Sequence, residues 1–594
     1  MLEYLLEYAD RKGLAPEPGF KLKTVKFALD FTGDGSFLGV LSLGEDGKGR
    51  VLRCPDLSQP EMLALKGGCH FLAEAASNVA LLLKDNTPEK DVIKANEKHA
   101  YFVGLLNQAA SVIPSLAAIA STLQNQETLA EIQEQLSESK VKDTDAVSLR
   151  VNGELVLEDR RWYPWWRDFR GTLNRKTAGD DMVCFASGTV SVPAATHPKV
   201  SASSIGGQSS GSTLVSFDKD SFGSFGLKQS ANAAVSETAA TAYRDALNHL
   251  IANSPTVAGS KPLYWYNCEV AKNEDLLSFL LQPASLTEAT ALQAARELIT
   301  AIRSGTAPSS AQLATSNYYC CTVTGAAGRV MVRDWMTGQF EQLATAVATW
   351  FEDLSIVGSD GQGLAKEPAI ARVVECLLPV RRPAQNYDDW IKPAKSLLPQ
   401  LWRAALNPQM GIPYRAMSAV VSQHRTYVQT QGNSPFTLEN RMAVLKVYLL
   451  RSSRIKGEKI IMTAFLEPNH PSAAYQCGRL LAVLAALQQR ALGTVNAGVI
   501  ERYYGSASAT PALVLGRLTR TSQFHLNKLD SGLARWYDGR IAEIWAAIQH
   551  DVPRTLGMED QSLFALGYYH QKAADAASLA EKRNAGQMDE ANGE

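Results

Sequence analysis

The spacing of apolar positions changes along this chain, and the change divides it. Leu2, Leu5, Leu6 and Ala9 recur at helical spacing and predict a short opening helix. Thr24 to Phe31 and Phe37 to Leu43 alternate or run apolar on either side of an Asp34-Gly35 turn, and Glu45-Asp46-Gly47 precedes a further strand at Arg50 to Cys54. Together these predict an antiparallel meander. Residues 62 to 82 and 98 to 138 carry helical patterns, and a hairpin is expected over Ala146 to Glu158 about Asn152-Gly153. The aromatic and β-branched runs at 261 to 269 and 316 to 335 predict two more strands of the same sheet. Beyond Gly338 the pattern is almost wholly helical, with a Gly/Asp loop at Gly358 to Gly363. From Tyr475 onward Leu480, Val483, Leu484, Leu487 and Ala491 line one helix face, and the helices that follow suggest a small bundle. The expected fold class is α+β: a mixed or antiparallel-sheet N-terminal domain over 1–338, a helical connecting region over 339–474 and a C-terminal helical bundle over 475–594.

Composition narrows the class without naming a function. The 594 residues, 45 % hydrophobic and 20 % charged, are enough to bury several cores. With 59 basic and 60 acidic residues the net charge is −1, so any nucleic-acid surface must be a local patch. The eight cysteines (Cys54, Cys69, Cys184, Cys268, Cys320, Cys321, Cys376 and Cys477) show no paired spacing and fit reduced thiols better than a disulfide framework. The opening MLEYLLEYAD carries acids where a signal peptide needs a basic region, and no apolar run has the length of a membrane span. A cytoplasmic location is expected.

Candidate chemistry concentrates in residues 183 to 250. There Thr196-His197-Pro198-Lys199 leads to Gly206-Gly207-Gln208-Ser209-Ser210-Gly211, a short strand is expected at Leu214 to Phe217, and Ser236 caps a helix carrying Ala239, Ala242, Tyr243, Ala246 and Leu250. Gly207 to Gly211 satisfies the G-x-S-x-G nucleophile pattern, but that pattern needs a strand before it and a helix directly after, and neither is expected here. As a ligand loop, its glycines and hydroxyls suit contact with a phosphate backbone, and Gln208 suits a base edge. A second candidate is Arg160 to Lys176, in which Arg160, Arg161, Arg167, Arg170, Arg175 and Lys176 interleave with Trp162, Tyr163, Trp165, Trp166 and Phe169. Either this is a single-strand groove or the tryptophans are core and the arginines its rim. Lys21 and Lys23, the run Lys446, Arg451, Arg454, Lys456 and Lys459, and the C-terminal Arg517, Arg520, His525, Lys528 and Arg535 are either phosphate tracks or solvated faces. The adjacent Cys320-Cys321, a Cys184/His197 pair and the Asp218/Asp220 pair offer little to zinc, nucleophilic or two-metal nuclease chemistry.

A resemblance covers almost the whole chain. Cys184 with Gly188, His197-Pro198-Lys199, Gly206 to Gly211 followed by Leu214-Val215-Ser216-Phe217, Ser224-Phe225-Gly226, Gln229-Ser230, Asn232-Ala233 and Ala246-Leu247-Asn248 carry it. So do Arg329 to Trp335, Gly478 to Leu487, Glu501 to Pro511 and Gly567 to Gln571. On these residues the chain resembles the large subunit of the subtype I-C CRISPR surveillance complex, Cascade, although Ala234 stands where that family usually has proline. The resemblance implies a non-catalytic scaffold without cofactor that reads the protospacer-adjacent motif on double-stranded DNA, promotes duplex opening and R-loop formation, and docks the helicase-nuclease. It implies CRISPR RNA, Cascade backbone subunits and the guide-processing 5′-handle subunit as partners. It also implies that the part from about residue 475 is made again as a separate small subunit, Met462 being the nearest methionine. Its DNA-binding residues would be Lys199, Gly206, Gly207, Gln208, Ser209, Ser210 and Asn232, with Lys66 and His70 beside them; Arg160, Arg161, Arg167, Arg517, Arg520 and Lys528 are strand-binding candidates. The contrasting reading is a stand-alone hydrolase or nuclease using Ser209 or Asp218/Asp220.

Overall fold

A computed structural model describes residues 1–14, 17–44, 48–57, 65, 67–174, 181–283, 290–304, 312–429, 435–458, 462–493, 495, 497–548 and 552–591. Lys66, Arg175, Lys176, Lys459 and the Glu45-Asp46-Gly47 turn lie outside them. The chain forms two compact units. The first consists of Met1–Ser203, Gly207–Asn253 and Ala326–Val330, and the second of Ser204–Gly206, Ser254–Gly325 and Met331–Glu594.

In the first unit the helix α1 (Leu2–Arg11) precedes four strands, β1 (Phe20–Val25), β2 (Phe27–Phe31), β3 (Phe37–Ser42) and β4 (Arg50–Pro55). They do not make the expected meander. Among the described residues β1 pairs only with β4, whereas β2 lies between β3, antiparallel, and β6 (Ala146–Val151), parallel. The break falls at Lys26, whose N–H leaves the first ladder for the carbonyl of Ala146. β6 returns through Asn152 and Gly153, both at positive φ, into β7 (Glu154–Leu155), the two-residue turn that Asn-Gly favours.

The stretch 62 to 82 departs from its helical pattern. Of its described residues only α2 (Ala76–Val79) is helical, after the short strand β5 (Glu74–Ala75). Leu72 and Leu81 sit at positive φ, and the Glu74 carboxylate accepts the N–H groups of His70 and Ala75 that a helix would direct to carbonyls. The helices α3 (Glu89–Ala109), α4 (Ser115–Gln124) and α5 (Gln126–Glu138) bury Phe102, Leu106, Leu116, Ile119 and Ile132 in this unit's core.

The Arg/Trp stretch is α6 (Trp162–Asn174). Trp162 and Trp166, one turn apart, are fully buried, and their indole N–H groups donate to the carbonyls of Val156 and Gly19. A small hairpin, β8 (Met182–Val183) with β9 (Val190–Ser191), leads to the central loops and α7 (Glu237–Asn253). The Ser236 hydroxyl caps α7 by accepting the N–H of Ala239.

The second unit holds its own three-stranded sheet, in the order β10 (Lys261–Tyr266), β11 (Asn317–Ala326), β12 (Arg329–Gln339), so the two later aromatic runs do not extend the first sheet. β11 is buried at nearly every position, which requires cover on both faces. The rest of the unit is helical: α8 (Leu276–Leu281), α9 (Ala291–Ser304), α10 (Phe340–Leu354), α11 (Ile370–Glu375), α12 (Tyr387–Ile391), α13 (Leu398–Leu406), α14 (Tyr414–Gln429), α15 (Pro435–Lys456), α16 (Ala473–Leu492), α17 (Val499–Ala507), α18 (Pro511–Leu526), α19 (Ser531–Ile548) and α20 (Met558–Ala591). No helix among the described residues is long and apolar enough to cross a membrane.

Two features hold this unit. α16 and α20 cross at Gly478 and Gly567, where an added Cβ would stand 2.0 Å from the carbonyl oxygens of Phe564 and Tyr475 respectively. Earlier in the chain, α15 turns Arg441, Lys446 and Arg451 inward. Arg441 donates to the carbonyls of Cys376 and Leu378, Lys446 to that of Asp353, and Arg451 and Arg454 pair with the buried Asp353 carboxylate at 2.9 and 2.6 Å. Within the basic run Lys446 and Arg451 are therefore buried structural cations, whereas Arg454 and Lys456 stay exposed and pair with Asp353 and Glu559.

Candidate nucleic-acid interface

Glycine in the sequence marks places where the backbone must bend, and residues 199 to 203 and 207 to 213 are bonded together around two of them. Val200 and Ser212 exchange both backbone hydrogen bonds, at 2.8 and 2.9 Å, and close a hairpin. Inside it the N–H of Gly207 donates to Ala202 O, that of Gln208 to Ser212 Oγ, and that of Gly211 to Gln208 O. Gly211 has φ +89°, and a Cβ there would lie 2.8 Å from Lys199 Cβ. Gln208 to Gly211 thus make a tight turn closed by a left-handed glycine. Gln208, Ser209 and Ser210 are exposed at the tip. Gly206, which belongs to the second unit, also has positive φ.

The expected strand at Leu214 to Phe217 is absent. Thr213 alone pairs, with the tip of the β11–β12 hairpin: its N–H donates to Gly328 O, and Val330 N–H donates to Thr213 O, each at 2.9 Å. The same tip brings Gly328 against the Gln208 side-chain amide. It also places Arg329 3.9 Å from Asp218 and over the Phe222 ring at 5.9 Å. Arg329 is thereby a basic neighbour of the loop that no local sequence pattern announces. Asn232 is not at the tip. Its side chain accepts the Ser224 N–H and donates to the carbonyls of Leu227 and Gln229, so both ends of the amide serve the fold.

His70 is likewise engaged. Lys21 donates to its Nε2 at 3.2 Å, and its Nδ1 lies 3.3 Å from Asp56, which also pairs with Lys21 at 2.6 Å. Burial, with the ammonium of Lys21 beside it, pushes the His70 pKa down to about 4, so the ring is neutral near pH 7. Lys21 and Lys23 do share a strand face, but Lys23 donates to Ala73 O. His197 is buried against the Tyr243 hydroxyl at 2.7 Å, and Cys184 accepts the Ser236 N–H. Each has its own partner rather than the other.

On α6 Trp162 and Trp166 are buried while Trp165 and Phe169 are half-buried and stack on each other, and several of the arginines are paired. Arg161 binds Asp159, Arg167 binds Glu17, and Arg170 binds Glu237. Arg160 is exposed.

In the second unit α18 carries a different surface. Leu513, Arg517, Arg520 and Phe524 recur at spacings of four and three along one exposed face, and Lys528 follows the helix end. Leu513 and Phe524 are 76 % and 72 % exposed, whereas Leu515, Leu518 and Leu526 face the core. Phe524 escapes a reading that looks only for charge, yet an open aromatic between cations is what single-strand stacking uses.

The family model described as CRISPR-associated protein (Cas_Csd1) matches residues 3–575 of this chain. No curated protein matches it.

Proposed function

Because the chain belongs to the Cas_Csd1 family of CRISPR-associated proteins, we propose that it is the non-catalytic large subunit of a type I-C Cascade complex. In that role it reads the protospacer-adjacent motif on double-stranded DNA, promotes R-loop formation and docks the helicase-nuclease. Guide RNA pairs with the long target, so the protein needs to recognise only a few flanking base pairs. The observation that carries the reading is the hairpin from Val200 to Ser212. Its base is cross-bonded and its tip presents a glutamine and two serines with no bulky neighbour in the turn, which suits close approach to a groove without an ordering cost on binding. Lys199 precedes it in sequence. The α18 stripe suits the displaced strand: Arg517, Arg520 and Lys528 would take phosphates and Phe524 a base.

A hydrolase reading of Ser209 fits the geometry poorly. The serine stands at a hairpin tip rather than on a strand-to-helix elbow, and α7 begins well after it. Asp218 is exposed beside Arg329.

The test is binding of guide-loaded complex, assembled with and without this chain, to duplexes that differ only in the base pairs flanking the target. Tight binding that requires both the chain and particular flanks supports the reading. Binding indifferent to the flanks, or DNA cleavage by the chain alone that Ser209→Ala abolishes, overturns it.

A further inference from the structure

Phe225 is placed against two ordinary preferences at once. Its side chain is 99 % exposed, and its φ is +52°. Single apolar residues on a surface are common. A phenylalanine in the left-handed region is not, because its Cβ crowds the following carbonyl, and asparagine or glycine usually fills such a position. The turn is built around it nonetheless. Ser224 O accepts the Leu227 N–H at 2.9 Å, and Gly226 follows Phe225 with φ +74°, so the two central residues are both left-handed. The Asn232 amide grips the two ends of this turn, accepting from Ser224 N at 2.8 Å and donating to Leu227 O at 3.2 Å. A side chain that buries nothing is thus held out on a strained, clasped support, which marks a contact made with something outside the chain.

The surroundings say what kind of partner. Lys219 and Lys228 are exposed on either side of the turn in sequence, with Asp220 beside the first, and Arg329 reaches the neighbouring Phe222 ring from the hairpin tip while it pairs with Asp218 at 3.9 Å. An open aromatic ring with lysines before and after it in sequence matches the π-face of a base flanked by phosphates better than it matches an apolar protein groove.

We propose that Phe225 is a base-stacking residue, on which an unpaired nucleobase beside the recognised flank rests, and that Asn232 is the positioning residue that holds the turn for it. Lys219, Lys228 and Arg329 take the adjoining phosphates. This rests on the DNA-reading role given above and adds to it a contact that carries affinity without reading sequence.

The experiment uses guide-loaded complex containing Phe225→Ala, Phe225→Leu, Phe225→Trp or Asn232→Ala chains. The targets carry 2-aminopurine, in turn, at each position next to the flank. Wild-type complex quenches the fluorescence at one of these positions, and Phe225→Ala does not. Removing one stacked base weakens binding about five- to a hundredfold. Phe225→Leu shares that loss, Phe225→Trp restores binding, and Asn232→Ala falls between, while the preference among flanks persists. Because the ring makes no internal packing, all three Phe225 variants melt no earlier than the wild type. Equal affinity and quenching in wild type and Phe225→Ala, with flank dependence intact, overturns the stacking role alone. A Phe225→Leu chain that binds as the wild type shows an apolar contact and also overturns it, as does a Phe225→Ala chain that fails to join the complex. Loss of flank dependence in the wild type itself sinks the DNA-reading role instead.

Discussion

The crossing of α16 and α20 allows opposite outcomes for the same chemical change at two glycines. At Gly478 an alanine Cβ would stand 2.0 Å from Phe564 O and 2.8 Å from Tyr568 N, both backbone atoms that no rotamer change can move. Reaching ordinary contact requires the helices to part by more than about 1 Å, at the point where Tyr475, Leu481, Phe564 and Tyr568 are buried together. Overpacking of this kind costs about 1–3 kcal/mol and occasionally more, and here the strain falls on main chain. Alanine offsets about 1 kcal/mol of that through its better helix propensity. At the upper end of that range the expected net loss for Gly478→Ala is about 2 kcal/mol. Gly516 supplies the control, since it lies within α18 and a Cβ there meets nothing within 4 Å. Gly516→Ala keeps the propensity gain without the clash and should stabilise by up to about 1 kcal/mol. Amide hydrogen exchange read by mass spectrometry over α16 and α20 reports the local opening free energy without assuming that the whole chain unfolds in one step. Exchange in Gly478→Ala as slow as in the wild type would refute the backbone-contact account, and so would a Gly516→Ala bundle that opens as readily as the Gly478→Ala one.

Asp353→Asn should destabilise the second unit by about 3–5 kcal/mol in thermal melts, because it leaves the fully buried Arg451 without its counter-charge. Acid should also weaken the fold. Burial depresses His197 to a pKa of about 4 and His424 and His570 to about 3, so between pH 6.5 and 4 the unfolded chain binds protons that the folded chain refuses. Stability contributed by these neutral rings is complete above pH 6.5 and is lost as pH falls. Asp245, raised to about 6 by burial against the pull of Arg244, works in the opposite sense over part of that range, but the histidines outnumber it. Urea midpoints at pH 7.5, 6 and 5 should fall in order, and a flat series would contradict the buried neutral rings. For the α18 stripe, Arg517→Ala and Arg520→Ala in the assembled complex should each lower the slope of log affinity against log salt for single-stranded DNA by about 0.7; unchanged slopes would remove the helix from the strand's path.

What the sequence showed depended on how local the cause was. The Asn152-Gly153 hairpin, the Ser236 cap and the glycine loop at 206–211 were legible because each is specified by adjacent residues. The burial of Arg441, Lys446 and Arg451 on α15 was not. Their partners are the Asp353 carboxylate and carbonyls of Asp353, Ala404 and Cys376, distant in sequence, so the helix shows no apolar stripe and reads as solvated. The stretch 62 to 82 misled for a related reason, since its apolar spacing suits a helix while the Glu74 side chain satisfies the backbone in another way. At the candidate site the glycines and Lys199 could be found from composition. The clasp by Asn232, the isolation of Phe225 and the arrival of Arg329 from a hairpin far along the chain required the fold.

The interleaved make-up of the two units bears on how the chain is born. A ribosome delivers residues in order, and domains generally form as they emerge. The first unit here includes Ala326–Val330, and these residues appear only after Ser254–Gly325, which belong to its neighbour. The N-terminal unit therefore stays one piece short while much of the next unit is already leaving the exit tunnel. Thr213 lacks its pairing partners until the hairpin tip is made. The loops around Thr213 are then among the last parts of the first unit to mature, so a nascent chain stalled before Val330 would carry the glycine hairpin without the Gly328 and Arg329 that flank it.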